Sequence, residues 1–249
     1  MNLRVEQLEP CLLPDGKTVM LTLTNYGYLL YTLNMLKSLK PFGITPLIIC
    51  MDKRAQRILI EKGYHTVLVE GEAAFCAWNT KGYDSICYLK MQLIHHVLSL
   101  HHNILLVDGD IVFLQNPWTD IQQWTTGEVW IQNDAQHNEN TTNLCTGYLF
   151  VRSTPNMIQL YDCTSIEGKQ KYKKCAFDNN DQTYFNQFVK PYCQTNALPL
   201  EKYPNGKMFY EHVELRHHAV LVHFNWVHGH VKMAKMKEHK MWILVEEEE

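Results

Sequence analysis

Along this chain, short unbroken apolar runs alternate with stretches whose apolar residues recur at helical spacing. The first run, residues 17–24 (Lys-Thr-Val-Met-Leu-Thr-Leu-Thr), reads as a strand and ends in the turn Asn25-Tyr26-Gly27. Leu29, Leu33, Leu36 and Leu39 then mark one face of a helix, stopped by Pro41 and Gly43. A second strand is expected over 46–51, and a third over 65–69. Between them Asp52 is an N-cap candidate for a helix reaching about Lys62, with Gly63 as its stop. Strand–helix alternation of this kind predicts an α/β fold with a parallel sheet. The longest predicted helix covers 85–100, with Ile86, Leu89, Leu93, Ile94 and Val97 in its apolar stripe. Lys90 falls in or beside that stripe, where a lysine either meets an anionic partner or reaches past the stripe to water.

That helix feeds into Ile104-Leu105-Leu106-Val107-Asp108-Gly109-Asp110-Ile111-Val112-Phe113-Leu114. An apolar run of this kind predicts a strand buried on both faces. Open sheets with such strands bind ligands at the strands' carboxyl ends, which is where Asp108 and Asp110 fall. In an extended segment, residues two apart point the same way, so both carboxylates can face one ion, and Gly109 lets the backbone come close to a ligand. Two adjacent carboxylates repel unless a positive charge lies between them, and a hard divalent cation with oxygen ligands, Mn or Mg, suits the role. The same triplet is also ordinary turn chemistry.

Further strands are expected over 128–132, 147–151 and 219–224, short helices over 155–161 and 181–188, and a polar loop over 137–143. The lysine-rich segment 167–174 reads as a solvated loop or as a basic lip that attracts an anion.

Composition narrows the class. The 249 residues are 46% apolar and 20% charged, as in ordinary soluble domains, and suffice for a substantial core. The formal net charge of −3 gives no nucleic-acid footprint. The 8 cysteines contain no Cys-x-x-Cys pair and favour free buried thiols. No apolar stretch is long enough for a membrane span, and residues 1–7 lack the apolar core of a signal peptide. A cytoplasmic protein is therefore expected, the alternative being a Golgi-lumenal domain cut from its anchor. Asn140-Thr141-Thr142 is a glycosylation sequon that matters only in a secretory setting. One domain over 1–245 is expected, followed by an acidic tail, 246–249.

The ordered motifs together resemble the nucleotide-diphospho-sugar transferase domain of glycosyltransferase family 77, related to the glycogenin-like transferases. The resemblance rests on Thr22-Leu23-Thr24-Asn25 and Lys90. It continues through the Asp-x-Asp segment with Asn116-Pro117, then Thr146-Gly147-Tyr148-Leu149-Phe150-Val151-Arg152-Ser153, then Asp181-Gln182-Thr183-Tyr184-Phe185-Asn186. It ends at His223-Phe224-Asn225-Trp226-x-x-Gly229-x-x-Lys232. The resemblance implies a GT-A fold, a single Rossmann-like α/β domain with a mixed, mostly parallel central sheet flanked by helices. It implies a nucleotide-diphosphate sugar, a UDP-sugar in first place, as donor. It implies Mn2+ or Mg2+ as cofactor and transfer with retention to a hydroxyl of a glycan or glycoprotein. By that resemblance Asp108, Asp110 and His223 hold the metal. Lys232 meets the diphosphate, Lys90 the donor phosphate or sugar, and Thr22, Thr24 and Asn25 border the nucleotide. Gly109, His228 and Gly229 complete the cofactor-binding set, while Asp134, Asp181 and Gln182 line the sugar pocket as donor-positioning groups.

Cys145 stands where the family has asparagine before Thr-Gly, and His228 is an alternative third ligand. The acceptor site is expected at the loops 71–82 and 163–180, with Trp78, Tyr83 and Trp118 as candidates to stack on a sugar. Three other readings compete. A zinc protein built on the His-rich end would leave the Asp pair unexplained. Nucleotidyl transfer would bring a Gly-rich basic loop after the first strand, which Thr24-Asn25-Tyr26-Gly27 is not. The third is a catalytically inactive transferase-like module that binds nucleotide sugar or glycan.

Overall fold

A computed structural model describes residues 3–69, 81–135, 143–175 and 180–245. Its strands are β1 (Thr18–Thr24), β2 (Leu47–Cys50), β3 (Thr66–Leu68), β4 (Asn103–Val107), β5 (Ile111–Phe113), β6 (Val129–Asn133), β7 (Leu144–Val151), β8 (Thr195–Leu198) and β9 (Leu221–His223). Its helices are α1 (Val5–Leu8), α2 (Leu29–Leu39), α3 (Lys53–Glu61), α4 (Lys81–Ser99), α5 (Trp118–Ile121), α6 (Pro155–Leu160), α7 (Ile166–Cys175), α8 (Asn180–Tyr184), α9 (Gly206–Glu211) and α10 (Gly229–Glu238).

Among the described residues the main sheet has seven strands in the order β3-β2-β1-β4-β7-β6-β8, and β5 and β9 form a separate two-stranded ribbon. β3, β2, β1 and β4 run parallel, β7 runs against both its neighbours, and β8 is parallel to β6. The expected mixed, mostly parallel sheet is what forms.

Period-two alternation sends each strand's side chains to two cores. Val19, Leu21, Leu23, Ile104, Leu106, Ile131 and Leu149 face a cluster that includes Met91, Ile94 and Val97 of α4 and Tyr184 of α8. Met20, Ile48, Leu105, Val107 and Phe150 face the opposite cluster, with Leu29, Leu33 and Leu36 of α2 and Leu59 of α3. Both faces are covered by helices, which is why the strands read as continuous apolar runs. A third cluster joins Val112 and Val222 of the ribbon to Phe209 of α9 and Met236 of α10. It seats α10 beside the carboxyl end of β4.

Several elements depart from the sequence expectations. The expected strand before the Asp pair is β4, but the apolar run after the pair, given no element in the sequence, forms β5 and pairs with β9 outside the main sheet. Segment 167–174 is helical: Gly168, Tyr172 and Cys175 of α7 are buried along one face, a stripe too small and polar to register as amphipathic. α10 was not expected because its buried positions are Lys232 and Met236, so a lysine occupies half of its inward face. β8 lies at the sheet edge with Asn196 and Ala197 exposed and carries no alternating signal. Residues 136–142, which include the sequon and most of the polar loop, and the tail 246–249 lie outside the described residues. The seven described cysteines are all free thiols. Among the described residues no helix is long and apolar enough to cross a membrane.

Candidate active site

The carboxyl end of β4 opens directly into Asp108-Gly109-Asp110. These residues form a turn rather than an extended segment, with the Ile111 N–H donating to the Asp108 carbonyl at 3.3 Å. The two carboxylates therefore converge through turn geometry, not strand alternation. Gly109 is required for a different reason from the one expected. A Cβ there would lie 2.6 Å from Thr32 Oγ1, so the glycine lets the turn pack against α2.

After the turn the chain enters β5, and Ile111 stands opposite His223 in β9. That pairing, with the Phe224 N–H donating to the Asp110 carbonyl at 3.0 Å, brings His223 to the Asp pair. His223 Nε2 lies 3.4 Å from Asp110 Oδ1 and 3.9 Å from Asp108 Oδ2. Ligating atoms of Asp108, Asp110 and His223 all fall within 4.8 Å of one another. His228, the alternative ligand, caps α10 on an exposed surface and is not in this group.

The three residues fit a divalent cation, since two carboxylates and an imidazole make a mixed hard and borderline donor set suited to Mn2+. Gly147 supports the fit: a Cβ there would overlap the His223 ring and come within 2.9 Å of Asp108 Oδ2.

Two buried ammonium groups flank the acids. Lys90 Nζ on α4 donates to Asp108 Oδ1 at 2.6 Å and lies 3.4 Å from Asp181 Oδ2. Lys232 on α10 donates to Asp110 Oδ2 and, at 2.7 Å, to the Tyr28 hydroxyl. Burial alone would push the Asp110 carboxyl up, but Lys232 and His223 overcome it and hold the group well below the usual carboxylate range. Burial would likewise lower His223, yet the Asp110 carboxylate and then Cys145 outweigh it and push the imidazole up to about 10. Lys90 in the helical stripe is thus a paired charge, not one reaching for solvent.

A second polar cluster adjoins the first. Asp181 is buried and accepts from Thr146 Oγ1 at 2.8 Å. Asp134, at the end of β6, accepts from Gln182 Nε2 at 3.0 Å and from Trp226 Nε1 at 3.1 Å. Asn143 and Asn225 complete its partners at 3.2 and 3.3 Å. Burial raises the Asp134 carboxyl above its usual range, and those donors only partly offset it.

Thr146, Gly147 and Tyr148 come from an irregularity in the sheet: Ile131 pairs with Leu149, yet Gln132 pairs with Cys145. Bulges of this kind re-aim side chains beside active sites. Cys145, in the asparagine position, places its sulfur 3.9 Å from both His223 Nδ1 and Asn225 Nδ2.

The strand-end residues are less open than expected. Thr22 is sealed inside β1, and its hydroxyl has no protein partner among the described residues. Thr24 is buried and accepts from Thr32 at 2.8 Å, while the Asn25 side chain accepts from the Tyr28 N–H. Thr24 and Asn25 hold the segment after β1 together; the ring of Tyr26 beside them is exposed, with Arg54 stacked 3.5 Å from its centroid. Gly229 opens α10 at a φ of 53°, and its carbonyl accepts from the Tyr31 hydroxyl.

Of the proposed sugar-stacking residues, Trp118 packs against the core, Trp78 lies outside the described residues, and so does the side chain of Tyr83. The loop 71–80 is outside them too, and most of 163–180 is α7. Sequence reasoning assigned no role to Tyr28, Gln132 or Trp226. Gln132 had a signal, a polar residue at the end of an apolar strand, and Trp226 stood within the C-terminal motif; Tyr28 had none beyond its neighbours.

Known proteins resemble this chain in sequence and in fold. A β-arabinofuranosyltransferase of Arabidopsis thaliana is 22% identical across 96% of this chain and 50% of its own length. A UDP-D-xylose:L-fucose α-1,3-D-xylosyltransferase of the same plant is 23% identical across 67% of this chain and 49% of its own. A UDP-galactose:fucoside α-3-galactosyltransferase of Dictyostelium discoideum is 22% identical across 90% and 43%. The chain thus spans about half the length of the curated relatives it matches or less. Among solved structures, mouse xyloside xylosyltransferase 1 in its apo form superposes with a TM-score of 0.55 at 12% identity, covering 84% of this chain and 98% of that one. A glycosyltransferase involved in glycosylation of the major capsid of PBCV-1 gives 0.54 at 12%, covering 90% and 99%, so the fold is GT-A. The sequence model of the nucleotide-diphospho-sugar transferases matches residues 45–238, well over half the chain, and the chain belongs to that family.

Proposed function

We propose that this chain catalyses metal-dependent transfer of a sugar from a nucleotide-diphosphate donor, a UDP-sugar in first place, to a sugar or protein hydroxyl, with retention of configuration. The observation that carries the reading is the convergence of Asp108, Asp110 and His223 between two buried ammonium groups at the carboxyl end of β4.

Asp108, Asp110 and His223 would hold Mn2+ or Mg2+, which supplies charge neutralisation for the diphosphate that leaves as the glycosidic bond breaks. Lys232 holds a proton firmly, and its ammonium is the natural contact for a diphosphate oxygen once it turns from Asp110. Lys90 sits between Asp108 and Asp181 and so links the metal side of the site to the sugar side. Asp181 is fixed by Thr146 and Lys90, and Asp134 by four donors. Carboxylates so tethered position a substrate rather than attack it, so the leaving phosphate is the group that guides the acceptor hydroxyl on the retained face. Two of the relatives are named for transfer to fucose or a fucoside, which puts a fucoside first among acceptors to try.

The test is calorimetric titration with UDP, GDP and their sugars in Mn2+, in Mg2+ and in EDTA, followed by a transfer assay with the donor that binds. Metal-dependent binding of one nucleotide diphosphate, and turnover of its sugar, is the expected result. A folded sample that binds none of them under any condition overturns the reading. Binding without turnover on any acceptor would favour the inactive module.

A further inference from the structure

Resting on the metal reading above, a further residue is assigned a role by its hydrogen bonds. Gln132 is the penultimate residue of β6 and is fully buried. Its pairing with Cys145 follows the sheet irregularity, and its side chain meets the ring of His223 rather than a neighbouring apolar residue. Gln132 Oε1 lies 2.7 Å from His223 Nδ1. Its amide nitrogen donates to the carbonyls of Tyr203 and Pro204, each at 3.2 Å.

Those two carbonyls can only accept, so they fix which way round the amide sits. A reversed amide would set its oxygen against both carbonyls and its N–H groups against Nδ1. The oxygen therefore faces the ring, and Nδ1 must carry hydrogen. A neutral imidazole with hydrogen on Nδ1 has its lone pair on Nε2, the atom that faces Asp108 and Asp110. The Pro204 carbonyl also accepts from the backbone N–H of His223 at 3.3 Å, so one carbonyl registers both the histidine and the residue that orients it. Tyr203 is anchored in turn by its hydroxyl, which donates to Asp120 Oδ2 at 2.8 Å. Cys145 Sγ, at 3.9 Å from Nδ1, is a much weaker partner.

We infer that Gln132 is a positioning residue that holds hydrogen on His223 Nδ1, turns the Nε2 lone pair to the Asp108–Asp110 pair, and thereby sets this site's affinity for a divalent cation. Partners of this kind outside a metal's ligand set raise its affinity about 10–100-fold.

The experiment compares the whole chain with Gln132→Met, which keeps side-chain length and removes the acceptor. Mn2+ binding is measured in the presence of UDP, and long-range 1H–15N correlation spectra are recorded with Cd2+ as a diamagnetic probe. In the parent protein the spectra are expected to show hydrogen on His223 Nδ1 and metal on Nε2. In the folded variant Mn2+ binding is expected to weaken about 10–100-fold. A residue that only supported the fold would lower the melting temperature and leave the folded protein's Mn2+ affinity in place, and that result overturns the inference. Metal on Nδ1 in the parent spectrum overturns it as well, even if the variant does not fold. Absence of Mn2+ binding by the parent protein would instead overturn the metal reading itself.

Discussion

Asp110 is the acid where the site's charges meet: Lys232, Tyr28 and His223 all contact its carboxylate. Asp110→Ala would leave a buried ammonium and a buried imidazole facing a void, so loss of activity in that variant would mix chemistry with folding. Asp110→Asn keeps the shape and is the better test. It is expected to abolish metal-dependent nucleotide binding and to cost about 3 kcal/mol of stability in EDTA, because the Lys232 charge loses its partner. Urea denaturation measures that cost. Adding Lys232→Met should recover much of it, since removing both partners of a buried pair is cheaper than removing one. A double variant no more stable than the single would show that the stranded Lys232 charge is not the source of the loss. Gly147→Ala is a complementary prediction. Its methyl would displace the His223 ring, so the variant is expected to fold while Mn2+ binding, followed by calorimetry, falls at least tenfold.

The elements that present these residues are held by contacts far along the chain. α10 carries Lys232, and the segment after it returns to α2, where buried Asn34 donates to the Met241 carbonyl at 2.9 Å and accepts from the Ile243 N–H at 2.7 Å. Tyr31 meets Trp242 edge to face at 5.7 Å between ring centroids. Asn34→Leu breaks both bonds and strands two backbone groups, so it is expected to cost about 2–4 kcal/mol and to weaken nucleotide binding as α10 loosens. A thermal melt and a UDP titration read the two effects. Unchanged UDP affinity in the folded variant would mean that the third core cluster seats α10 by itself. None of this was legible in the sequence. Asn34 lies on a helix whose leucine spacing was plain, but its partner follows some 200 residues later, and the helix that partner anchors has a lysine on its inward face. What was legible was local: the buried strands, the Asp52 cap, the long helix and the Asp pair all announce themselves through runs, spacing or turn chemistry. The split of 104–114 into two sheets was hidden because both halves are buried, and burial alone does not say against what.

At the scale of the molecule, the site is a store of paired charge whose balance depends on proton and metal together. His223 is pushed up to about 10 from an ordinary 6.5, so its charged form stabilises the fold fully below pH 6.5, and that stabilisation is lost as pH rises toward about 10. Asp110 is held below its ordinary 3.8, so its contribution is present above that value and lost as pH falls through the lowered one. In EDTA the stability of the parent protein relative to His223→Gln should therefore be greatest between about pH 4 and 6.5 and should shrink above it. Metal reverses the sign. A cation on Nε2 must displace the proton held there, so each rise of one pH unit below about 10 should strengthen Mn2+–UDP binding by up to about tenfold. Denaturation in EDTA and calorimetry in Mn2+, both run between pH 6 and 8.5, set the two slopes side by side. Opposite slopes place the exchangeable proton on the imidazole between the two aspartates. A flat Mn2+ profile would mean that His223 is already neutral, and the charge that balances the aspartates would then belong to the two lysines alone.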